Sequence, residues 1–281
     1  MRFLKKFLSV SLACGLLSCL LWGCSVTRTP TNTSTPLTPQ LKLTAADQNT
    51  IPRDATAIEL NTLQNACVIS SGGTYLLYGS LQGCIRVDAE DQIVHLVLRN
   101  VDVKSISGPA LEICSAGKVI LTLPDGTVNT LQDSGSYPVS AEADACIYSV
   151  CDLTVNGSGK LTVSGKFKDG IHSKDVLKIL TDYCTVTAKR DALHGNDGIV
   201  LMCKNLELQC ERNGLHATKT GKPGKGNLEI SNTTGSIISG EYAFYAAADL
   251  YLADSRIFAT GIRGVSYAAG ASYITEGSLQ K

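Results

Sequence analysis

Asp169-Gly170-Ile171-His172-Ser173-Lys174-Asp175 is answered 22 residues later by Asp191-Ala192-Leu193-His194-Gly195-Asn196-Asp197, and after 22 more by Asn213-Gly214-Leu215-His216-Ala217-Thr218-Lys219. Apolar, β-branched stretches follow each copy: Leu177-Lys178-Ile179 and Cys184-Thr185-Val186 after the first, Ile199-Val200-Leu201 and Leu206-Glu207-Leu208 after the second. A chain that returns to the same chemistry at a fixed count is a stack of coils. Each position then rests on its counterpart in the next coil at the inter-strand spacing of about 4.8 Å. A hairpin-built sandwich shares this composition but has no reason to keep a fixed offset.

Weaker copies extend the pattern in both directions. Ala145-Cys146-Ile147-Tyr148-Ser149 and Ala110-Leu111-Glu112-Ile113 lie upstream; Ala243-Phe244-Tyr245-Ala246 and Gly264-Val265-Ser266-Tyr267 lie downstream. Turn residues such as Asn156-Gly157-Ser158-Gly159 separate the strands, and no helical period is visible past the first two dozen residues. The expected fold class is all-β: a single-stranded, right-handed parallel β-helix with coils of about 22 residues. Its inward aliphatic ladder is expected to be Ile147, Ile171, Leu193, Leu215, Phe244 and Val265. Ser149, Ser173, Gly195, Ala217 and Ala246 form a ladder of small residues two positions on.

The chain opens with a basic Met1-Arg2-Phe3-Leu4-Lys5-Lys6 and an apolar run to Trp22, too short and too asymmetrically flanked for a permanent membrane span. Leu21-Trp22-Gly23-Cys24 resembles a bacterial lipobox, with Cys24 as the lipidated thiol; an ordinary signal peptide cleaved nearby is the alternative. The Thr/Pro-rich run Thr27 to Pro39 has almost nothing to bury and reads as a solvated tether. The expected organisation is a signal peptide over 1–23, a tether over 24–55 and one β-helix over 56–281. The expected location is extracellular, at the membrane through a lipid on Cys24.

Net charge is zero on 25 basic and 25 acidic residues, so no global field draws the protein to nucleic acid, and none is expected as a partner. Of 11 cysteines, Cys14, Cys19 and Cys24 belong to the leader. Cys67, Cys84, Cys114, Cys146, Cys151, Cys184, Cys203 and Cys210 lack zinc-knuckle spacing, and most sit in strand-like runs as small apolar residues. One or two disulfides between neighbouring coils are compatible with export.

Three ladders carry candidate chemistry. Residues beside the inward ladder point outward, so Tyr148, His172, His194, His216 and Tyr245 should share one outer face, where rings can stack on sugars; plain copying of a duplicated unit gives the same column. A straight stack supplies poor convergence for zinc. Asp169, Asp191 and Asn213 form a second column, and Asp175 and Asp197 a third. Carboxylates about 5 Å apart repel unless they share a proton or a cation, and the spacing suits Ca2+; Asp and Asn are also ordinary turn residues. Lys168, Arg190 and Arg212 form a basic column beside the first acidic one, able to pair with it or to clamp ligand carboxylates.

Gly73-Thr74-Tyr75-Leu76, Val94-His95-Leu96-Val97-Leu98, Lys118-Val119-Ile120-Leu121-Thr122-Leu123, Cys151-Asp152-Leu153-Thr154-Val155-Asn156-Gly157 and the Asp-Gly-Ile repeats, taken in order over about residues 58 to 250, resemble the carbohydrate-binding lipoproteins of Gram-positive anaerobes. That resemblance implies a β-helix similar in fold to pectate lyases, binding acidic plant polysaccharide such as polygalacturonate and carrying calcium on aspartate-rich turns. Its Asp-Gly-Ile signature falls on Asp169, Gly170 and Ile171, then on Asp191, Ala192 and Leu193. The third copy departs, with Asn213 for aspartate and Lys219 in the place of Asp175 and Asp197.

The leading expectation is a non-catalytic module that binds acidic polysaccharide with calcium. A calcium-dependent lyase, with Lys168, Arg190 or Arg212 as the β-elimination base, is the second reading. A structural or adhesive surface protein is the third. No G-x-S-x-G elbow, phosphate loop or dinucleotide fingerprint is present.

Overall fold

Strand alternation is written in the burial pattern. In the strand Gly198–Cys210, Leu206, Leu208 and Cys210 are buried, while Glu207 and Gln209 between them are exposed. The computed structural model describes residues 42–47 and 54–280; Cys24 and the Thr/Pro run to Pro39 lie outside them. The described strands pair in parallel as a β-solenoid of about 10 turns with about 22 residues per turn.

Register follows the repeat. Gly198–Cys210 lies on Val176–Ala188 from Val176↔Gly198 to Ala188↔Cys210. The short strands stack Ile171 on Leu193 on Leu215, and His172 on His194 on His216. Upstream, Ile147 lies on Ile171; downstream, Leu215 meets Phe244 after a longer step that accommodates the Lys219–Gly226 turn. The small ladder Ser149, Ser173, Gly195, Ala217 and Ala246 forms as expected. One rung differs: Phe244 faces Ser266, so Val265 is displaced by one position and packs only partly against the core. Gly264, with φ of 154°, opens that strand opposite Tyr242, and the equivalence is shifted by one residue.

The interior is one continuous apolar column running from Leu60 to Ala259. Of the eight cysteines from Cys67 to Cys210, six are buried in the fold, Cys84 and Cys114 are half-buried, and none is paired. The coil corner at Gly170 is tight. A Cβ there would lie 2.2 Å from Val186 Cγ1 and 2.7 Å from the Ala192 carbonyl oxygen.

The expected tether departs from a solvated chain at its end. Residues 42–47 dock on the outer face of one sheet, and Asp47 is 4 % exposed. Lys118 and Lys178 donate to its carboxylate at 2.5 and 2.9 Å, and Thr154 at 2.6 Å. A buried carboxylate is stable only with such partners, and the three lie on three different strands: Leu111–Leu123, Leu153–Gly165 and Val176–Ala188.

Candidate functional site

The aromatic column forms as the repeat requires, because stacked coils place equivalent side chains above one another. The His172 and His194 rings stack parallel within 2° at 3.9 Å, and His194 and His216 follow at 4.8 Å and 21°. Tyr148 closes one end edge-on, and Tyr245 the other; Tyr267 then stacks on Tyr245 at 4.7 Å.

Its setting differs from the open platform expected. Tyr148, His172, His194 and His216 are each 8 % exposed or less. The connection between the strands Val128–Gln132 and Ala145–Ser149 covers the start of the row. Tyr137 and Ala143 from it pack with Ala145, Tyr148 and Val150 in a second small apolar cluster. Solvent reaches the row at its far end, where Tyr242 and Tyr245 are half-buried and Tyr267 is 38 % exposed.

The first acidic column is engaged by the protein itself. Asp169 accepts from Arg190 Nε and Nη2, both at 2.6 Å, from the main-chain N–H of Asp191 at 2.9 Å, and from His194 Nδ1 at 2.9 Å. Asp191 accepts from the main-chain N–H and side-chain amide of Asn213, each at 2.9 Å, and from His216 Nδ1 at 2.7 Å. Asn213 in turn accepts the N–H of Tyr242. The column therefore satisfies the corner amides of the following coils, donors that would otherwise be left unpaired in a dry place. Burial opposes the charge on Asp169, but hydrogen bonds from Arg190 and His194 outweigh it and hold the carboxyl well below the usual range. Asp191 is lowered too, against burial, by its bond with His216. The oxygens of Asp169 and Asp191 are thus engaged by the protein's own donors.

Asp144 is the residue sequence reading missed. It binds His172 Nδ1 at 2.6 Å and also Arg190. It stands one position before Ala145, which faces Asp169 in register, so strict alignment at the Asp169 position passes over it. The signal was an acid adjacent to the weak upstream copy.

Two groups, Asp169 with His172 and His194, and Asp191 with His194 and His216, bring one ligand atom each within 4.8 Å of one another.

The basic column is in register: Arg190 N–H donates to Lys168 O, and Arg212 N–H to Arg190 O. The three side chains have different partners. Lys168 lies over the Phe167 ring at 4.9 Å, Arg190 bridges Asp144 and Asp169, and Arg212 reaches Asp191 at 3.6 Å and Glu241 at 3.9 Å. Arg263, one coil further, meets Glu241 at 3.7 Å.

The third column keeps unspent negative charge. Asp197 stacks below Asp175 through its main-chain N–H, and its carboxylate meets Lys225 on one oxygen. Its Oδ1 is buried without a hydrogen bond, Lys219 standing 3.9 Å away. The Asp175 carboxyl is pushed up by burial and by repulsion from Asp152 and Asp197.

Fold and site together define a parallel β-solenoid with ordered aromatic and charged ladders on its outer faces. The chain belongs to the carbohydrate-binding domain-containing protein family, whose sequence model matches residues 64–277. A carbohydrate-binding domain-containing protein of Acetivibrio thermocellus is 35 % identical over 135 residues, covering 46 % of this chain and 47 % of that one. The chain thus spans about half the length of this relative. Among solved structures, the gadolinium derivative of a polysaccharide lyase-like protein from C. thermocellum superimposes with a TM-score of 0.76 at 26 % identity, over 80 % of this chain and 98 % of that one.

Proposed function

We propose that the protein binds acidic polysaccharide, of the polygalacturonate or pectin type, at the cell surface without cleaving it. The observation that carries this reading is the accessible end of the aromatic row: Tyr242, Tyr245 and Tyr267 cluster within 5.8 Å of one another, ring centre to ring centre, beside Arg212 and Arg263. Tyrosine rings offer apolar faces to sugars, and the two guanidiniums, 40 % and 65 % exposed, are placed to meet carboxylates. Cleavage by β-elimination needs a base that gives up its proton near neutral pH. Arg190 is the opposite: burial disfavours its charge, but Asp169 and Asp144 more than reverse this and hold the proton more firmly than in free arginine.

The expected calcium would draw on the third column, whose carboxylates are the less fully paired. Asp152, Asp175 and Asp197 would hold it, since negative charge there exceeds what Lys219 and Lys225 cancel and a buried Asp197 oxygen lacks a hydrogen bond. When bound, the ion would neutralise this cluster and offer a coordination position to a ligand carboxylate. A lipid on Cys24, outside the described residues, would hold the protein on the outer membrane face.

The test is retention on polygalacturonate with and without chelation, while following unsaturated uronate in the supernatant. Calcium-dependent retention without product supports the reading, with retention cut at least tenfold by Tyr267→Ala. Release of unsaturated product would overturn the non-catalytic reading, and failure to bind any glycan would overturn the whole.

A further inference from the structure

The segment docked over residues 42–47 places a carboxylate where the solenoid has built a cradle for one. Asp47 is held by two ammonium groups and a hydroxyl, from Lys118, Lys178 and Thr154. Asn156 Nδ2 donates to the Asp47 carbonyl at 3.0 Å, and Lys178 also donates to the Lys42 carbonyl at 2.8 Å. Within the segment itself, only Thr44 contacts the carboxylate, through its N–H and hydroxyl. The side chains of Lys118 and Lys178 are 13 % and 7 % exposed, so the cradle is dry, and one carboxylate faces two cations.

All the charged donors belong to the coils, whereas the acceptor comes from a short docked segment. Buried ammoniums demand an anion, and any carboxylate of suitable reach can meet that demand. Beside the segment, a cavity of about 300 Å³ opens between Leu43 and the coil residues Leu180, Met202 and Lys204. It adjoins the cradle along the same sheet, and its volume lies at the lower end of the range for small-molecule pockets.

We propose that Lys118, Lys178, Thr154 and Asn156 form a binding subsite for a uronate carboxylate of an acidic glycan, and that Asp47 occupies it as an internal competitor. The inference rests on the polysaccharide reading above and adds a second site, covered by Asp47 and built on strands other than those that carry the tyrosines. A glycan carboxylate entering the cradle displaces Asp47 without leaving either lysine unpaired, and the adjoining sugar ring then lies against the coil residues Leu180 and Met202.

The experiment is calorimetric titration of polygalacturonate fragments into the unmodified chain, Asp47→Asn, and Asp47→Asn combined with Lys178→Met. Asp47→Asn keeps the shape of the segment and removes its charge; it should bind at least tenfold more tightly, and Lys178→Met should abolish the gain. Neutral galactan should show no gain. A folded Asp47→Asn chain with unchanged affinity would overturn the proposal, and the tyrosine reading would stand if the unmodified chain still bound. An equal gain for polyglutamate would overturn the glycan assignment, and absence of binding to any glycan by any variant would sink both readings. Trypsin gives a readout on the unmodified chain: cleavage after Lys42 should accelerate severalfold with saturating polygalacturonate fragments, and an unchanged rate would count against displacement.

Discussion

His194 Nδ1 lies 2.9 Å from Asp169 Oδ2 in the preceding coil, and His216 repeats the relation at 2.7 Å with Asp191. Since these carboxyls are held ionised, the imidazole Nδ1 carries the proton and donates it. The repeat therefore encodes a diagonal clasp, each aspartate gripping the histidine 25 residues on, and the two ladders that look independent in sequence are one network.

Arg190 is the cation on which that network closes. Its side chain is 25 % exposed and bridges Asp144 and Asp169, the latter wholly buried. Arg190→Ala leaves a buried carboxylate short of a partner and should cost about 3–5 kcal/mol. Arg212, 40 % exposed and at 3.6 Å or more from its acids, should cost less than about 1 kcal/mol on truncation. Urea midpoints of the two variants check this; equal losses would show that the bridge is not special.

Acid should weaken the fold in two stages. Burial pushes the His194 imidazole below its usual value, aided by its neighbours His172 and His216 and opposed by Asp169. A lowered histidine favours the neutral form when folded, so its contribution is complete above the unfolded value of about 6.5 and is lost as pH falls below it. His95, lowered by burial, adds to this stage. Asp144, Asp169 and Asp191 are held low in spite of burial, and their contribution is lost as pH falls below the unfolded aspartate value of about 3.9. Stability measured between pH 8 and 3 should fall in both windows, and His194→Gln should flatten the upper one.

Gly170→Ala should destabilise by about 1–3 kcal/mol through overpacking, because the new methyl group meets Val186 and the Ala192 carbonyl. Ala192 occupies the same place one coil on and is fully buried, so the cost comes from local fit rather than from the side chain as such. A thermal midpoint equal to that of the unmodified chain would refute this.

Burial pushes the thiols of Cys84 and Cys210 up to about 12 and those of Cys114 and Cys203 up to about 11. Thiolate is the reactive form, so the folded protein should resist iodoacetamide at pH 8 over hours and react fully in denaturant. Rapid labelling of Cys203 or Cys210 in the native state would contradict their burial.

The core of the fold was legible because three near-identical copies fix the register: Ile171, Leu193 and Leu215 could only stack as they do. Legibility faded where the step changed. The turn over Lys219–Gly226 lengthens the step from Leu215 to Phe244, after which the regular offset resumes, so that Ser266 and not Val265 fills the rung beside Phe244. The site was half legible. Alternation correctly put the histidines on the side away from the core, but it carries no information about what folds over them, and the covering connection before Ala145 has no periodic signal. Asp47 was illegible for a related reason: its partners are 71, 107 and 131 residues away, and nothing in a Thr-rich tail announces a cradle built by later coils.

Those separations bear on how the solenoid comes apart. In a stack where each coil touches only its neighbours, opening spreads from the ends one coil at a time. Asp47 works as a rivet through three layers: Leu111–Leu123, Leu153–Gly165 and Val176–Ala188 cannot part singly without breaking it. Amide exchange in those strands should therefore proceed as one unit, while the coils beyond Gly198 unzip from the C-terminal end in small, independent steps.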